Sequence, residues 1–483
     1  MRTRLVALVA SLAIGGTLLA VPASASLETP SAVDVTAQAG QVLTDQGKAR
    51  DAGERDGKKG KKPRWHPVNH AFFNNPYAGD TKRFRIEQYL IKAIKNTPKN
   101  GIIRMSLYSW DRQEVARALV RARKRGVQVQ VLLNDHQVTR AQLFLRSSIG
   151  GNPRKKNFVY WCNASCRARR DNLHSKFMLF SRTGGINDVV VLGSANFTLN
   201  AVKWQWNDML SMTKQPYLSR DLLKVFNDMR KDYNYNRPYW TFCGNKSGKC
   251  NSETDRKYLR VFPRNAGPKS DPVLQMLKPV RCLYGKKGHV KRTQIRISMH
   301  TMKGPRGDYL AKRMRGLWAA GCDIKVIYGL MGFPTKRALG AATLRGRIPL
   351  RSTGFDYNAD GEVDRYTHHK YATISGMYAG RIRNMTFTGS SNWSNRGTYG
   401  DEIIFKLMGK KTLRQYNANF GKMFSGMPFT RNAYTTTSSV YRVPVKRISP
   451  DGSTYTQLEK RTITRTVIRP DNMLGQGATW END

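Results

Sequence analysis

The sequence predicts an α/β fold made of two duplicated α/β/α sandwich domains, and three observations carry that prediction. A strand–helix–strand pattern occurs twice, its landmarks recur at a nearly constant offset, and 483 residues suit two domains of ordinary size. In the first copy, residues 102–108 (Ile-Ile-Arg-Met-Ser-Leu-Tyr) read as a strand. Val115, Leu119 and Ala122 follow at helical spacing, Gly126 ends that helix, and residues 127–133 alternate as a second strand. In the second copy, residues 294–299 match the first strand. Leu310, Met314, Leu317 and Trp318 mark the helix, Gly321 ends it, and residues 322–328 form the strand. Arg104 to Arg296 is 192 residues and Gly126 to Gly321 is 195, which indicates an internal duplication.

The flanks read differently. Arg2 and Arg4, the apolar run from Leu5 to Val21 and the small-residue site Ala23-Ser24-Ala25 form an export signal over residues 1–25. Residues 26–65 are small, polar and then basic, as in a flexible linker. The two domains are expected over 66–250 and 251–430. The tail, 431–483, is rich in Thr, Arg and Tyr and carries a turn signal at Pro450-Asp451-Gly452, which suits short added strands or a segment wrapped over the surface. Nothing after the signal is long and apolar enough to span a bilayer, so no stable membrane anchor is expected.

With Lys+Arg at 83 against Asp+Glu at 33, the chain carries a formal charge of +50, so its partner or substrate should be anionic. Six cysteines suit an oxidising compartment, and the simplest pairing is local: Cys162 with Cys166, Cys243 with Cys250, and Cys282 with Cys322.

The duplication also carries chemistry. His174-Ser-Lys176 and Gly193-Ser194-Ala-Asn196 recur as His368-His-Lys370 and Gly389-Ser390-Ser-Asn392. Apolar and β-branched flanks place each His-x-Lys on a strand, and period-two alternation puts the histidine and lysine on one face. The lysine can hold a phosphate oxygen as a point charge and the asparagine can donate to it. Two histidines brought to one phosphorus could attack and protonate from opposite sides. Each histidine needs an acceptor on its second ring nitrogen. Asp208 and Glu402, 194 residues apart, are the candidates, with Asp401 the nearest competitor.

At these residues the chain resembles the phospholipase D superfamily, over roughly residues 66–430. The resemblance implies two domains meeting at a pseudo-twofold active-site interface and catalysis through a phosphohistidine with no obligatory metal. It implies that His174 and His368 are nucleophile and acid/base, with His174 favoured as nucleophile. Lys176, Lys370, Asn196, Asn392, Ser194 and Ser390 would bind phosphate, and Asp208 and Glu402 would orient the histidines. One departure is symmetric: the Asp usually found five residues after each lysine is replaced by Ser181 and Ser375.

Asp356, Asn358, Asp360, Gly361 and Asp364 match positions 1, 3, 5, 6 and 9 of a calcium loop, although position 12 is Thr367 instead of Glu. A structural calcium is one expectation, and an Asx-rich turn is the other. Tyr160, Trp161, Phe197, Trp204, Trp206 and Trp393 crowd the motifs as core packing or as a stacking surface, and Arg167, Arg169 and Arg170 could guide an anion. The expected function is therefore a secreted, monomeric phosphodiesterase of phospholipids. A secreted nuclease and a non-enzymatic polyanion-binding or wall-binding protein are the competing readings.

Overall fold

The computed structural model describes residues 64–168, 170–234, 239–264, 267–354, 363 and 365–469. The expected signal, almost all of the linker, Arg169 and the calcium-loop candidates Asp356, Asn358, Asp360 and Asp364 lie outside the described residues. Everything described belongs to one compact unit, Pro63–Asp483.

The first half is built on β1 (His70–Phe73), β2 (Ile102–Leu107), β3 (Gln128–Asn134), β4 (Phe158–Cys162), β5 (Phe177–Thr183), β6 (Ile186–Gly193), a two-residue β7 (Gln205–Trp206) and β8 (Asp208–Met212). Seven of these form a mixed sheet in the order β1-β8-β6-β5-β2-β3-β4. β2, β3 and β4 run parallel; β5, β6, β8 and β1 extend the sheet in antiparallel fashion.

The second half repeats this plan. It uses β9 (Trp240–Phe242), β10 (Lys257–Val261), a short ribbon of β11 (Leu283–Tyr284) and β12 (Lys291–Arg292), β13 (Gln294–Met302), β14 (Asp323–Met331) and β15 (Leu350–Ser352). β16 (Tyr366–Thr367), β17 (Lys370–Tyr378), β18 (Arg381–Gly389), β19 (Ile403–Met408) and β20 (Arg431–Asn432) complete it. The nine-stranded order is β20-β15-β14-β13-β17-β18-β19-β10-β9. β13 and β14 are parallel, β13 and β17 antiparallel, as β2, β3 and β5 are in the first half.

The helices form where the apolar spacing requires them. Val115, Leu119 and Ala122 are fully buried on the helix Gln113–Lys124, and Gly126 closes it at φ +89°. Leu310, Met314 and Leu317 play the same part on Gly304–Ala319, closed by Gly321 at φ +101°. Each sheet keeps its own apolar core on the outer face. A third core draws on both halves and takes in the helices Pro216–Met229 and Lys410–Phe424 through Leu222, Phe226, Tyr416 and Phe420. This shared core fixes the two sheets against each other and so fixes any site built across them.

All three disulfides form as the cysteine spacing suggests. Among the described residues no helix is long and apolar enough to cross a membrane. The tail departs most from expectation: β21 (Tyr434–Ile448) and β22 (Thr454–Ile468) pair over fifteen residues each as a solvent-exposed ribbon, turning at Pro450-Asp451-Gly452.

Candidate active site

The histidines sit just ahead of β5 and β17 rather than inside a strand. Their main-chain hydrogen bonds explain this. The His174 N–H donates to the Asp401 carbonyl (3.0 Å) and the His368 N–H to the Trp206 carbonyl (2.9 Å). Each histidine is thus pinned to the opposite half before its own strand begins. Both are buried, at 4% and 0% exposure.

The side chains repeat the exchange. His174 Nδ1 donates to Glu402 Oε1 at 2.7 Å. His368 Nδ1 lies 2.8 Å from Asn207 Oδ1. The Asn207 amide group donates to the Ala201 carbonyl and to Gln205 Oε1, so its oxygen is the end that faces His368. Lys370 Nζ donates to His368 Nε2 at 2.6 Å, which leaves Nδ1 as the protonated nitrogen facing that oxygen. Lys176 Nζ donates to the His174 carbonyl at 2.8 Å and lies 5.2 Å from the centre of the Tyr108 ring.

Asn207 is a correction to the expectation that Asp208 would hold a histidine. The sheet registers give the reason. In the first half Gly193 pairs with Met209; in the second Gly389 pairs with Ile404. The step is sixteen residues in one half and fifteen in the other, so Asp208 corresponds to Ile403, and Asn207 to Glu402. Asp208 turns away from His368 and accepts from Thr388 Oγ1 (2.6 Å) and Tyr416 OH (2.7 Å). Burial raises its carboxyl pKa, against those hydrogen bonds and the charge of Lys370. Asp401 is also excluded as the acceptor, because its Oδ2 takes the Cys166 N–H and burial pushes its carboxyl up to about 7.

The serines of the two Gly-Ser-x-Asn motifs are a second correction. Ser194 Oγ donates to Asn207 Oδ1 and accepts the Asp208 N–H; Ser390 Oγ accepts the Ile403 N–H. Both are fully buried and act on the neighbouring strand instead of facing a phosphate. The asparagines suit the expected role better. Asn196 Oδ1 accepts the Ser109 N–H and Asn392 Oδ1 the Thr301 N–H, which reserves their NH₂ ends for donation. A small cavity brings Asn392, Arg396 and Glu402 of one half beside His174 of the other. Ser181 and Ser375 have structural partners: Ser181 Oγ accepts the Ile102 N–H, and Ser375 Oγ donates to Asn384 Oδ1.

Sequence reasoning missed Asn207, Tyr108 and His300. Tyr108 meets His174 edge-on with ring centres 5.0 Å apart, and His300 stands 4.9 Å from His368. Tyr108 and His300 are 192 residues apart, the offset already seen between Arg104 and Arg296, so the duplication itself held the signal. Arg167 proves structural: it is fully buried, donates to the Phe262 carbonyl and lies 4.2 Å from the Trp240 ring centre.

Two mixed sheets that exchange histidine partners across a shared core define a duplicated phospholipase D type of protein. The family model described as "Cardiolipin synthase, PLD-like domain" matches residues 90–230 and 290–424, and the chain belongs to that family within the phospholipase D superfamily. Among solved structures, phosphatidylserine synthase of Haemophilus influenzae is 14% identical with TM-score 0.49, covering 75% of this chain and 87% of that one. Polyphosphate kinase of Porphyromonas gingivalis is 14% identical with TM-score 0.46, covering 74% of this chain, which spans only half of the kinase. Nuc of Salmonella typhimurium, described as a phospholipase D family member, is 20% identical with TM-score 0.25 and matches over 35% of this chain and 100% of its own. No curated protein shows significant sequence similarity to the chain.

Proposed function

We propose that the chain is an exported phosphodiesterase that hydrolyses the head-group phosphodiester of phospholipids through a phosphohistidine. The observation that carries this is the reciprocal pairing of His174 with Glu402 and of His368 with Asn207, each across the two halves. His174 is the nucleophile in this scheme. As its Nε2 bonds to phosphorus the ring gains positive charge, which the Glu402 carboxylate offsets, while the bond to the leaving oxygen breaks. Once Lys370 turns to the phosphate, His368 enters the reaction as the imidazolium, its Nδ1–H held by the neutral amide of Asn207, and delivers its Nε2 proton to that oxygen. It then takes one from the water that splits the N–P bond. Asn196, Asn392 and the two lysines hold the non-bridging oxygens, and every step uses side chains of this chain alone.

The phospholipid assignment draws on the family's description, which names cardiolipin synthase. Export draws on residues 1–25 and the three disulfides. A nuclease is the second reading, favoured by the charge of +50, since a polyphosphate backbone binds through many Lys and Arg contacts. The purified protein should release the head group from phosphatidylcholine or phosphatidylglycerol vesicles, with or without EDTA, and leave plasmid DNA intact. DNA cleavage with no lipid turnover sinks the phospholipid reading. His174→Ala and His368→Ala should each remove at least about 10⁴-fold of the activity, and near-normal turnover by either would refute the scheme.

A further inference from the structure

A second cavity, of about 360 Å³, lies between the edge strand β1 and the helix Lys410–Phe424, away from the small cavity beside His174. Three cations line it, Lys82 and Arg85 from one half and Lys422 from the other, and no acidic side chain lines it among the described residues. Like charges brought together without a carboxylate repel one another, and a bound anion relieves that repulsion. Desolvation and the charge of Lys82 lower the pKa of Lys422, and desolvation, Arg85 and Lys411 lower that of His70, which also lines the cavity.

The polar groups of the wall are biased toward donation. Asn75 Oδ1 accepts the Tyr77 N–H and Asn419 Oδ1 accepts the Tyr371 hydroxyl, so the end each amide offers to a ligand is NH₂. Trp206 contributes to the lining at 1% exposure, with its indole Nε1–H buried out of reach of a ligand there. Cations at the rim and amide donors on the wall ask for one kind of group.

We infer that this cavity is a second anion site, separate from the catalytic centre, that takes a phosphate group through Lys82, Lys422, Asn75 and Asn419. The shared chemistry is a tetrahedral phosphorus oxyanion, either a free or terminal phosphate or a diester within a larger ligand. The site does not depend on which phosphodiester the enzyme cuts.

The experiment is calorimetric titration of the full chain with orthophosphate and, separately, with dimethyl phosphate. Wild type should show two sites for at least one probe. Lys82→Ala/Lys422→Ala, which alters only exposed side chains, should keep one site and weaken the other at least about tenfold. His368→Ala, which alters the catalytic centre, should leave the cavity site intact, so failure of the catalytic scheme and failure of this inference give different results. Binding of orthophosphate alone identifies a free or terminal phosphate; binding of dimethyl phosphate as well identifies a diester. Binding of neither probe outside the catalytic centre, or a titration unchanged in the double variant, overturns the inference.

Discussion

The two histidines differ in their supporting partners, and that difference can be measured. Glu402 gives His174 a carboxylate, whereas Asn207 gives His368 a neutral oxygen. If His174 must bear positive charge as the phosphoenzyme forms, Glu402→Gln should lower kcat by roughly 10²- to 10⁴-fold, on the scale of carboxylate losses behind catalytic histidines. Asn207→Asp should instead make His368 a poorer proton donor and shift the acid–base limb of the rate profile to higher pH. Equal, small effects from both would deny the assignment of roles.

A neighbouring histidine governs stability instead. His369 is fully buried between Ser298 and Thr367, and its pKa is lowered to about 3, first by desolvation and then by the nearby His368 and Lys370 charges. Because its folded pKa lies below the ordinary 6.5, the unfolded chain binds a proton that the folded chain refuses. The contribution is therefore present above 6.5 and lost as pH falls toward 3. By pH 4.5 the loss should amount to roughly 2–3 kcal/mol, at 1.36 kcal/mol per unit below 6.5. His369→Gln should flatten the fall in Tm between pH 7.5 and 4.5, and an unchanged slope would remove His369 from the account.

At the scale of elements, the glycine that opens each Gly-Ser-x-Asn motif has a packing reason. A Cβ on Gly193 would collide with the Asp208 carbonyl oxygen, and one on Gly389 with that of Ile403, while Gly389 also sits at φ +150°. The close approach lets Ser194 and Ser390 bond the next strand, and that strand delivers Asn207 and Glu402. Gly389→Ala should therefore push β19 away and cost about 1–3 kcal/mol in chemical denaturation. It should also depress kcat through the displaced Glu402, and stability loss with full activity would contradict this linkage. Here the limits of the sequence become clear. Both strand–helix–strand units, their glycine stops, the disulfides and both His-x-Lys and Gly-Ser-x-Asn pairs were legible, because each follows from local periodicity or from repetition. The acceptor for His368 was not, because one additional residue between Asn196 and β8 shifts the register. Counting 194 residues then selects Asp208, and only the ladder reveals Asn207.

At the scale of the molecule, the shared core and the terminal ribbon represent opposite extremes of burial. The halves are joined by a continuous apolar interior, so the candidate site built across them should persist until global unfolding. The ribbon buries almost nothing: Val440, Ile448 and Leu458 are 63%, 76% and 60% exposed. Its Thr- and Val-rich strands suit extended backbone, yet an isolated two-stranded hairpin is marginal in water, so local propensity alone could not show whether the tail would fold back on the core. Among the described residues its ties to the body lie at its base. The Tyr434 hydroxyl donates to the Ile348 carbonyl, Ile468 rests on Gly340, and Lys336 Nζ donates to the Arg469 carbonyl. Ala433, by contrast, is fully buried and marks where the packed body ends. A chain ending after Ala433 should thus fold, keep its phosphodiesterase activity and lose no more than about 4 °C in Tm, the shift expected for roughly 1 kcal/mol in a large domain. A truncated protein that fails to fold or melts more than about 10 °C lower would show that the ribbon contributes to the core despite its exposure.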